Sequence, residues 1–368
     1  MRKPGNGWHR CLSGLPNESS SSGKEGSGAS PKRLAIRVNR RLVGVLQKRP
    51  TIPAVVHRND ITRRQAAKLI GGTAASLLLP IGASRIALAD ETTPMITRSI
   101  PSSGEKLPVI GLGTWQTFDV GTSQSDRGPL EQVLSELVKF GGRVIDSSPM
   151  YGRSEQVIGD LATKLRLEKK LFLATKVWTT GRDAGIQSME RSFTRFQTKR
   201  IDLMQVHNLV DVNTHLQTMR EWKAAGRFRY IGVTHYNESA FSQVEKVLRS
   251  EKLDFLQINY SLGEPEADQR ILPAAQERGV AVMINRPFGG GGLFGRVRSK
   301  PLPEWAAEFD CHSWAQFLLK WILGHSAVTC VIPATGDPGH LRDNAIAGTG
   351  KLPDAKMRQR MAEYIRSV

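Results

Sequence analysis

Four side chains that can hold or move a proton stand where short apolar segments of the sequence end. Asp146 closes one such segment and Tyr151 follows it by five residues, while Lys176 and His207 lie near the ends of the next two. A polar group at the end of a buried segment needs a partner. Each has a structural explanation when taken alone: a helix cap, a core histidine, or a lysine that extends to solvent. Together they predict a catalytic set.

The chemistry that this set predicts is the reduction of a carbonyl group by hydride and proton transfer. A tyrosine has a pKa of about 10, and a nearby ammonium group lowers it. We therefore expect Lys176 to lower the pKa of Tyr151, and Asp146 to hold Lys176 in place. His207 would orient the substrate oxygen or polarise it as negative charge develops.

Other chemistries lack the residues that they require. The sequence shows no activated Ser or Cys nucleophile, and no carboxylate/His set recurs at the strand ends, so we expect no metal ion at the site. The three cysteines, Cys11, Cys311 and Cys330, stand in no metal-binding spacing. We expect Cys311 and Cys330 to be unpaired thiols rather than a disulfide.

The elements that must position these residues alternate between strand and helix. Several segments are β-branched, aromatic-rich and mostly apolar, as buried parallel strands are. Between or after them, apolar residues recur with helical spacing at 129–140, 213–225, 238–249 and 354–366. Eight such units predict an α/β protein with a (β/α)8 TIM barrel, whose active site lies at the C-terminal ends of the strands. The predicted strands are 109–114, 143–148, 171–177, 201–207, 228–235, 255–261, 280–288 and 328–335.

The alternative architecture is a doubly wound dinucleotide-binding sheet. That fold needs a G-x-G-x-x-G turn after its first strand. The segment 111–116 reads Gly-Leu-Gly-Thr-Trp-Gln, so the third glycine is absent. We therefore favour the barrel.

Four motifs resemble those of the aldo-keto reductase family. They are Gly-Leu-Gly-Thr-Trp at 111–115, Asp-Ser-Ser-Pro-Met-Tyr-Gly at 146–152, Ala-Thr-Lys-Val-Trp at 174–178 and Leu-Met-Gln-Val-His-Asn at 203–208. The resemblance runs from about residue 97 to the end of the chain. It implies a (β/α)8 barrel that reduces aldehydes or ketones with NADPH or, less often, NADH. It also implies a catalytic tetrad of Asp146, Tyr151, Lys176 and His207, with Tyr151 as proton donor.

The resemblance further implies a set of cofactor contacts along the strand ends. They are Gly113, Thr114, Trp115, Asp146, Thr234, His235, Gln257, Asn285, Pro287, Phe288, Gly289, Gly291, Thr335, His340, Asp343 and Asn344. Thr234 and His235 stand where the family usually has a Ser-Asn pair that holds the carboxamide. Asn285 stands where many members have a tyrosine that stacks under the nicotinamide.

The adenosine end of the cofactor site departs most from the family pattern. Ala334 and His340 replace a Lys and an Arg that often pair with the 2′-phosphate of NADPH. Arg296, Arg298 or Lys300 could supply the missing positive charge. We expect NADP(H) rather than NAD(H) as the cofactor.

The substrate site is the least specified part of the prediction. Trp115, Met150, Trp178 and Asn208 resemble the family's pocket-lining positions, and aromatic walls favour an apolar or aromatic aldehyde. The chain ends soon after its last predicted helix, so we expect an open site with broad preference. Two other classes of function remain as alternatives: a cofactor-binding module with little turnover, as in the reductase-like subunits of potassium channels, and a scaffold that binds no cofactor.

Residues 1–89 carry most of the positive charge. They hold 16 Lys or Arg against three Asp or Glu, a net charge of +13 out of +18 for all 368 residues. Since the excess lies outside the predicted barrel, we expect no nucleic-acid partner. Residues 1–60 include a Ser/Gly-rich stretch at 17–31, and we interpret them as disordered or as sequence upstream of the true start codon.

Residues 61–89 resemble an export signal of the twin-arginine type. Two consecutive arginines precede an apolar stretch, 69–89, that ends in Ala-Leu-Ala. Pro80 and Arg85 interrupt this stretch and leave it short for a membrane-spanning helix. We expect a cleaved signal recognised by the twin-arginine export machinery, and a periplasmic, monomeric enzyme formed by residues 90–368. A membrane anchor formed by 69–89 is the alternative.

Overall fold

A closed barrel of eight parallel strands forms the centre of the described part of the chain. The computed structural model describes residues 93–368. Strands β1 and β2 form an antiparallel hairpin, and each strand from β3 to β9 pairs in parallel with the next. The strands are β1 (Thr97–Ser99), β2 (Lys106–Pro108), β3 (Leu112–Gly113), β4 (Val144–Asp146), β5 (Phe172–Val177), β6 (Ile201–His207), β7 (Phe228–Thr234), β8 (Phe255–Asn259), β9 (Ala281–Asn285) and β10 (Val328–Val331).

The first and last strands of the barrel meet and close it. Bridges join Ile110 to Val331 and Gly113 to Ala334, and the Gly111 N–H donates to the Val331 carbonyl at 2.8 Å. The predicted (β/α)8 fold is confirmed, and the closed sheet excludes the doubly wound alternative.

Helices cover the outside of the barrel, with at least one after each of its strands. They are α1 (Gln124–Lys139), α2 (Ser154–Lys164), α3 (Arg182–Phe196), α4 (Val212–Ala224), α5 (Phe241–Ser250), α6 (Ile271–Glu277), α7 (Gly292–Val297), α8 (Trp314–Leu323), α9 (Pro338–Ile346) and α10 (Ala355–Ser367). The predicted elements appear with ends shifted by a few residues. Helix α1 begins before the predicted Pro129, because the Ser123 side chain accepts the Asp126 N–H at 3.1 Å and caps the helix.

The hairpin of β1 and β2, which the sequence did not predict, closes the N-terminal end of the barrel. Ile100 and Leu107 are fully buried in one cluster with residues that begin several strands, among them Phe172 and Phe255. Glu105, between the two hairpin strands, accepts a hydrogen bond from the Tyr230 hydroxyl at 2.6 Å. The C-terminal ends of the strands are therefore the end left open to a ligand.

Two sequence predictions fall outside the described part of the chain. The predicted export signal, 61–89, and the segment 1–60 lie before residue 93. Within 93–368, no helix has the length and apolar character to cross a membrane. Cys311 and Cys330 are buried free thiols, as predicted.

Candidate active site

The ends of three neighbouring strands bring Asp146, Lys176 and His207 together. All three side chains belong to buried residues. Lys176 Nζ donates to Asp146 Oδ2 at 2.6 Å and to the Ser147 carbonyl at 2.7 Å. Tyr151 lies in the loop after β4, with its ring centre 4.9 Å from Lys176 Nζ and 6.2 Å from the centre of the His207 ring. The four residues predicted to be catalytic therefore share one site.

Two glutamines inside the barrel hold the second oxygen of Asp146. Gln257 on β8 donates to Asp146 Oδ1 at 2.8 Å, and Gln205 on β6 donates to it at 3.2 Å. Gln205 was not predicted as a site residue. The available signal was its place two residues before His207 on a buried strand, since alternate residues of a strand share one face. Both carboxylate oxygens of Asp146 thus accept hydrogen bonds, which fixes the carboxylate beneath Lys176.

The phenol of Tyr151 has a raised pKa. Burial raises it most, Lys176 lowers it by less, and Asp146 raises it further. Lys176 thus lowers this pKa as expected, but burial outweighs the effect of the ammonium group, so the net shift is upward. At neutral pH the hydroxyl therefore keeps its proton, which is the state that a proton donor requires.

Lys176 is an ammonium group despite its complete burial. Burial lowers its pKa, but the negative charge of Asp146 and the hydrogen bonds with Asp146 and Tyr151 outweigh burial, so the net shift is upward. The site therefore holds a permanent positive charge beside the Tyr151 ring.

The imidazole of His207 is neutral at physiological pH. Burial, followed by the charges of Lys176 and His235, lowers its pKa to about 3. Its Nδ1 lies 3.3 Å from the Ser148 hydroxyl oxygen, so Nε2 is the ring nitrogen available to a ligand. A neutral imidazole can donate a hydrogen bond to a carbonyl oxygen without replacing Tyr151 as the acid.

The residues predicted to hold the nicotinamide form one hydrogen-bonded group across β7, β8 and β9. Thr234 Oγ1 donates to Gln257 Oε1 at 3.0 Å, and Asn285 Nδ2 donates to the His235 carbonyl at 3.0 Å. Asn285 Oδ1 is buried and accepts no hydrogen bond from the protein. A buried acceptor without a donor fits a ligand that offers an amide N–H, as the carboxamide of a nicotinamide does.

The predicted contacts after β3 differ in what they offer a ligand. A Cβ at Gly113 would lie 2.7 Å from the Ile332 carbonyl oxygen, so barrel closure itself requires glycine there. Thr114 Oγ1 donates to the Asp146 carbonyl at 2.9 Å. The indole of Trp115 is exposed at the open end of the barrel. Trp115 is the member of this group whose side chain is available for binding.

The loop after β9 is rich in glycine, so its backbone is accessible to a ligand beside the site. Pro287 and Phe288 lead into a 3-10 turn, Gly289–Gly291, whose φ angles of 58°, 65° and 94° are readily adopted by glycine alone. A Cβ at Gly291 would meet no atom within 4 Å. Backbone with open space beside it fits the phosphate groups of a dinucleotide.

The predicted contacts at the adenosine end lie on α9 and just before it. They are Thr335, His340, Asp343 and Asn344. Asp343 already accepts hydrogen bonds from the Ser313 hydroxyl and the Gln316 amide, both at 2.7 Å. Its carboxylate therefore holds α8 against α9. His340 is exposed, whereas Asn344 is buried.

Three large apolar side chains surround the open end of the barrel. Trp115, Met150 and Trp178 are 52%, 43% and 46% exposed. Asn208, the fourth predicted substrate residue, has a φ of 54° and a buried Oδ1 with no protein partner. A positive φ is uncommon in residues other than glycine and often marks a functional position. Within 93–368, no three His, Cys, Asp or Glu side chains cluster as metal ligands would.

Comparison with known proteins agrees with this geometry. Residues 109–363 match the model of the Aldo/keto reductase family. Methylglyoxal reductase YeaE of Escherichia coli is 28% identical over 274 residues, which cover 72% of this chain and 93% of that protein. The thermostable aldo-keto reductase Tm1743, solved with the inhibitor epalrestat, has 25% identity and a TM-score of 0.61, covering 73% of this chain and 99% of that one. An aldo/keto reductase of Klebsiella pneumoniae, solved with NADP and acetate, has 23% identity and a TM-score of 0.57, covering 71% and 93%.

Proposed function

Since the chain belongs to the aldo/keto reductase family, we propose that it reduces an aldehyde or ketone with NADP(H), with Tyr151 as the proton donor. The observation that carries the proposal is the buried Asp146–Lys176 pair beside a protonated Tyr151 and a neutral His207. These groups supply an acid, a hydrogen-bond donor and a fixed positive charge at the open end of the barrel.

The side chains of the site act on the substrate oxygen. His207 donates a hydrogen bond from Nε2 to that oxygen and holds it near Tyr151. The Tyr151 hydroxyl gives its proton to the oxygen while the carbonyl carbon gains a hydride. Lys176 stabilises the phenolate that is left, and Asp146 keeps Lys176 in position. NADP(H), when bound, supplies the hydride.

The exposed side chains at the open end of the barrel and the names of the relatives support a class of substrate and a cofactor. The exposed Trp115, Met150 and Trp178 support an apolar or aromatic aldehyde, and the name of the Escherichia coli relative supports small reactive aldehydes as well. The NADP that accompanies the Klebsiella pneumoniae reductase supports NADP(H) as cofactor. Ala334 and His340 leave the 2′-phosphate with fewer cations than the family usually provides, so we expect a weak preference for NADP(H) over NAD(H).

The sequence of residues 61–89 supports a proposal about location. Consecutive arginines, an apolar stretch and a small-residue cleavage site favour export by the twin-arginine machinery. Residues 90–368 would then act as a monomer in the periplasm. Fractionation of cells that express the tagged full chain tests this proposal; retention of uncleaved protein in the membrane would favour the anchor alternative.

The substitution Tyr151→Phe tests the assigned acid directly. We expect NADPH-dependent turnover of a reactive aromatic aldehyde to fall by about 100-fold or more, because general acid catalysis contributes on this scale. Cofactor affinity, measured by quenching of tryptophan fluorescence, should stay unchanged, because only a hydroxyl is removed. Tyr364→Phe, on the remote helix α10, is the matched control and should retain turnover.

Three outcomes are distinguishable. Wild-type rates in the Tyr151→Phe variant would mean that another group donates the proton. Tight NADPH binding by the native protein without turnover of any aldehyde would favour a cofactor-binding module. Failure to bind NADPH or NADH would favour a scaffold and would overturn the proposed function.

A further inference from the structure

Arg286 occupies a constrained position at the open end of the barrel. It directly follows β9 and has a φ of 49°, in the left-handed region that a residue with a Cβ rarely adopts. Such backbone is retained where the surrounding structure demands it, and often at ligand sites. Arg286 was not predicted as a site residue, although its neighbours Asn285 and Pro287 were.

The guanidinium group of Arg286 has few hydrogen-bond partners within the protein. Its Nε is buried without a hydrogen-bond partner. Its Nη2 pairs with Glu264 Oε1 at 3.4 Å, a distance longer than the roughly 2.7–2.9 Å that is typical of charge-assisted hydrogen bonds. Glu264 is itself held by the Asn259 amide, which donates to its other oxygen at 2.9 Å. With five donors to place and a side chain 34% exposed, Arg286 retains the capacity to bind an anion.

The guanidinium group lies against the glycine loop described above. A Cβ at Gly290 would be 3.5 Å from Arg286 Nη2, so the group packs over that residue. Cβ atoms at Gly291 and Gly292 would meet nothing within 4 Å, which leaves open space on the loop. An arginine with hydrogen-bond donors to spare, next to accessible glycine backbone and open space, is suited to phosphate oxygens. Arginine can bind such oxygens with two parallel hydrogen bonds.

We propose that Arg286 binds the diphosphate group of the cofactor. This inference rests on the proposed function, because it takes the ligand to be a nicotinamide dinucleotide. The diphosphate is common to NADPH and NADH, so Arg286 contributes equally to the binding of both. A strong contact at this point, together with Ala334 and His340 at the 2′-phosphate, makes the site tolerant of either cofactor.

The substitution Arg286→Met tests the inference by binding rather than by activity. Titration calorimetry with the full chain would measure the Kd of NADP⁺, NAD⁺ and ADP-ribose, the last of which carries the diphosphate without nicotinamide. We expect all three to bind about 10 to 100 times more weakly, since a hydrogen-bonded charge is lost, and their ratios to stay constant. Arg166→Met is the matched control: Arg166 also has a positive φ, of 57°, but lies between α2 and β5, remote from the strand ends.

A second variant separates a ligand contact from a structural role. Glu264→Gln removes the carboxylate that competes with phosphate for Arg286. We therefore expect this variant to bind ADP-ribose more tightly than the native chain does. If the Glu264–Arg286 pair were purely structural, the affinity for ADP-ribose would be lower or unchanged. Unchanged ADP-ribose affinity in Arg286→Met would overturn the inference, as would a loss confined to NADP⁺, which would place Arg286 at the 2′-phosphate. If the native chain bound none of the three ligands, the proposed function itself would fail.

Discussion

The Asp146–Lys176 pair is what makes a cation possible at the depth of this active site. The two side chains are 4% and 1% exposed, and a lone charge so far from water is strongly disfavoured. Each group therefore depends on the other. Two glutamines complete the arrangement by occupying the second carboxylate oxygen. The chemistry at Tyr151 thus relies on residues that never touch the substrate.

Removal of the lysine should cost both stability and activity. We expect Lys176→Met to lower the free energy of unfolding by about 3–5 kcal/mol, because it leaves the Asp146 carboxylate buried without its cation. Turnover should fall as well, since the phenolate of Tyr151 loses its stabilising charge. Urea unfolding and aldehyde reduction measure the two effects.

The matched control for that substitution removes the cation of an exposed ion pair. Arg182 and Glu221 are joined at 2.9 Å but are both about half exposed, so Arg182→Met should cost less than about 1 kcal/mol. Equal stability losses in the two variants would show that the buried pair is not special.

His207 makes stability depend on pH in a predictable direction. Its pKa falls from 6.5 in the unfolded chain to about 3 in the fold, so the unfolded state binds more protons between these values. The stability that the neutral His207 contributes is complete above pH 6.5 and is lost as the pH falls toward 3. From pH 7 to pH 5, the native protein should lose about 2 kcal/mol more than His207→Gln does.

Urea unfolding at the two pH values measures this difference. The exposed His312 provides the control, and His312→Gln should follow the native pH dependence. Parallel behaviour of native protein and His207→Gln would mean that the imidazole is not neutral in the fold.

At the scale of elements, helix α2 follows the loop that bears Tyr151 and is fixed by close packing on α3. The Ser154 hydroxyl at its start donates to the Tyr151 carbonyl at 2.7 Å. At Gly159 the two helices approach so closely that a Cβ would lie 2.2 Å from the Arg195 carbonyl oxygen. A glycine in the middle of a helix normally weakens it, and here the close approach is the reason for it.

Gly159→Ala should therefore destabilise the protein although alanine favours helix. We expect a loss of about 1–3 kcal/mol in urea unfolding, because the added methyl forces α2 away from α3. Turnover should also fall, since Ser154 transmits the shift to Tyr151. Gly295→Ala in α7 is the matched control: a Cβ there meets nothing within 4 Å, so that variant should gain up to about 1 kcal/mol. A stable and fully active Gly159→Ala variant would contradict this account of the helix packing.

At the largest scale that the structure describes, residues 93–368, the barrel is closed at one end and open at the other. The hairpin at 97–108 buries Ile100 and Leu107 against the beginnings of the strands. Ligands consequently enter at the opposite end, where Asp146, Lys176 and His207 stand. The hairpin belongs to the enzyme body, although the sequence pattern did not reveal it.

A shortened chain tests which residues form that body. We expect residues 90–368 to melt at the temperature of the full chain and to keep its turnover number, because the closing hairpin is retained. A chain starting at residue 109 should lose solubility or cooperative melting, since its barrel cluster would be exposed. Failure of 90–368 to fold would place essential structure before residue 90.

The sequence by itself determined the fold and the four side chains that meet at one site, Asp146, Tyr151, Lys176 and His207. Strands and helices alternate regularly, and the ends of parallel strands gather at one edge, so polar residues at successive strand ends must meet. The tertiary structure alone decided which residues support them. Gln205 and Gln257 lie 59 and 111 residues from Asp146 along the chain, and no local pattern pairs them across a barrel. The upward pKa shift of Tyr151 and the contacts of Arg286 likewise depend on burial and on neighbours that only the closed barrel brings together.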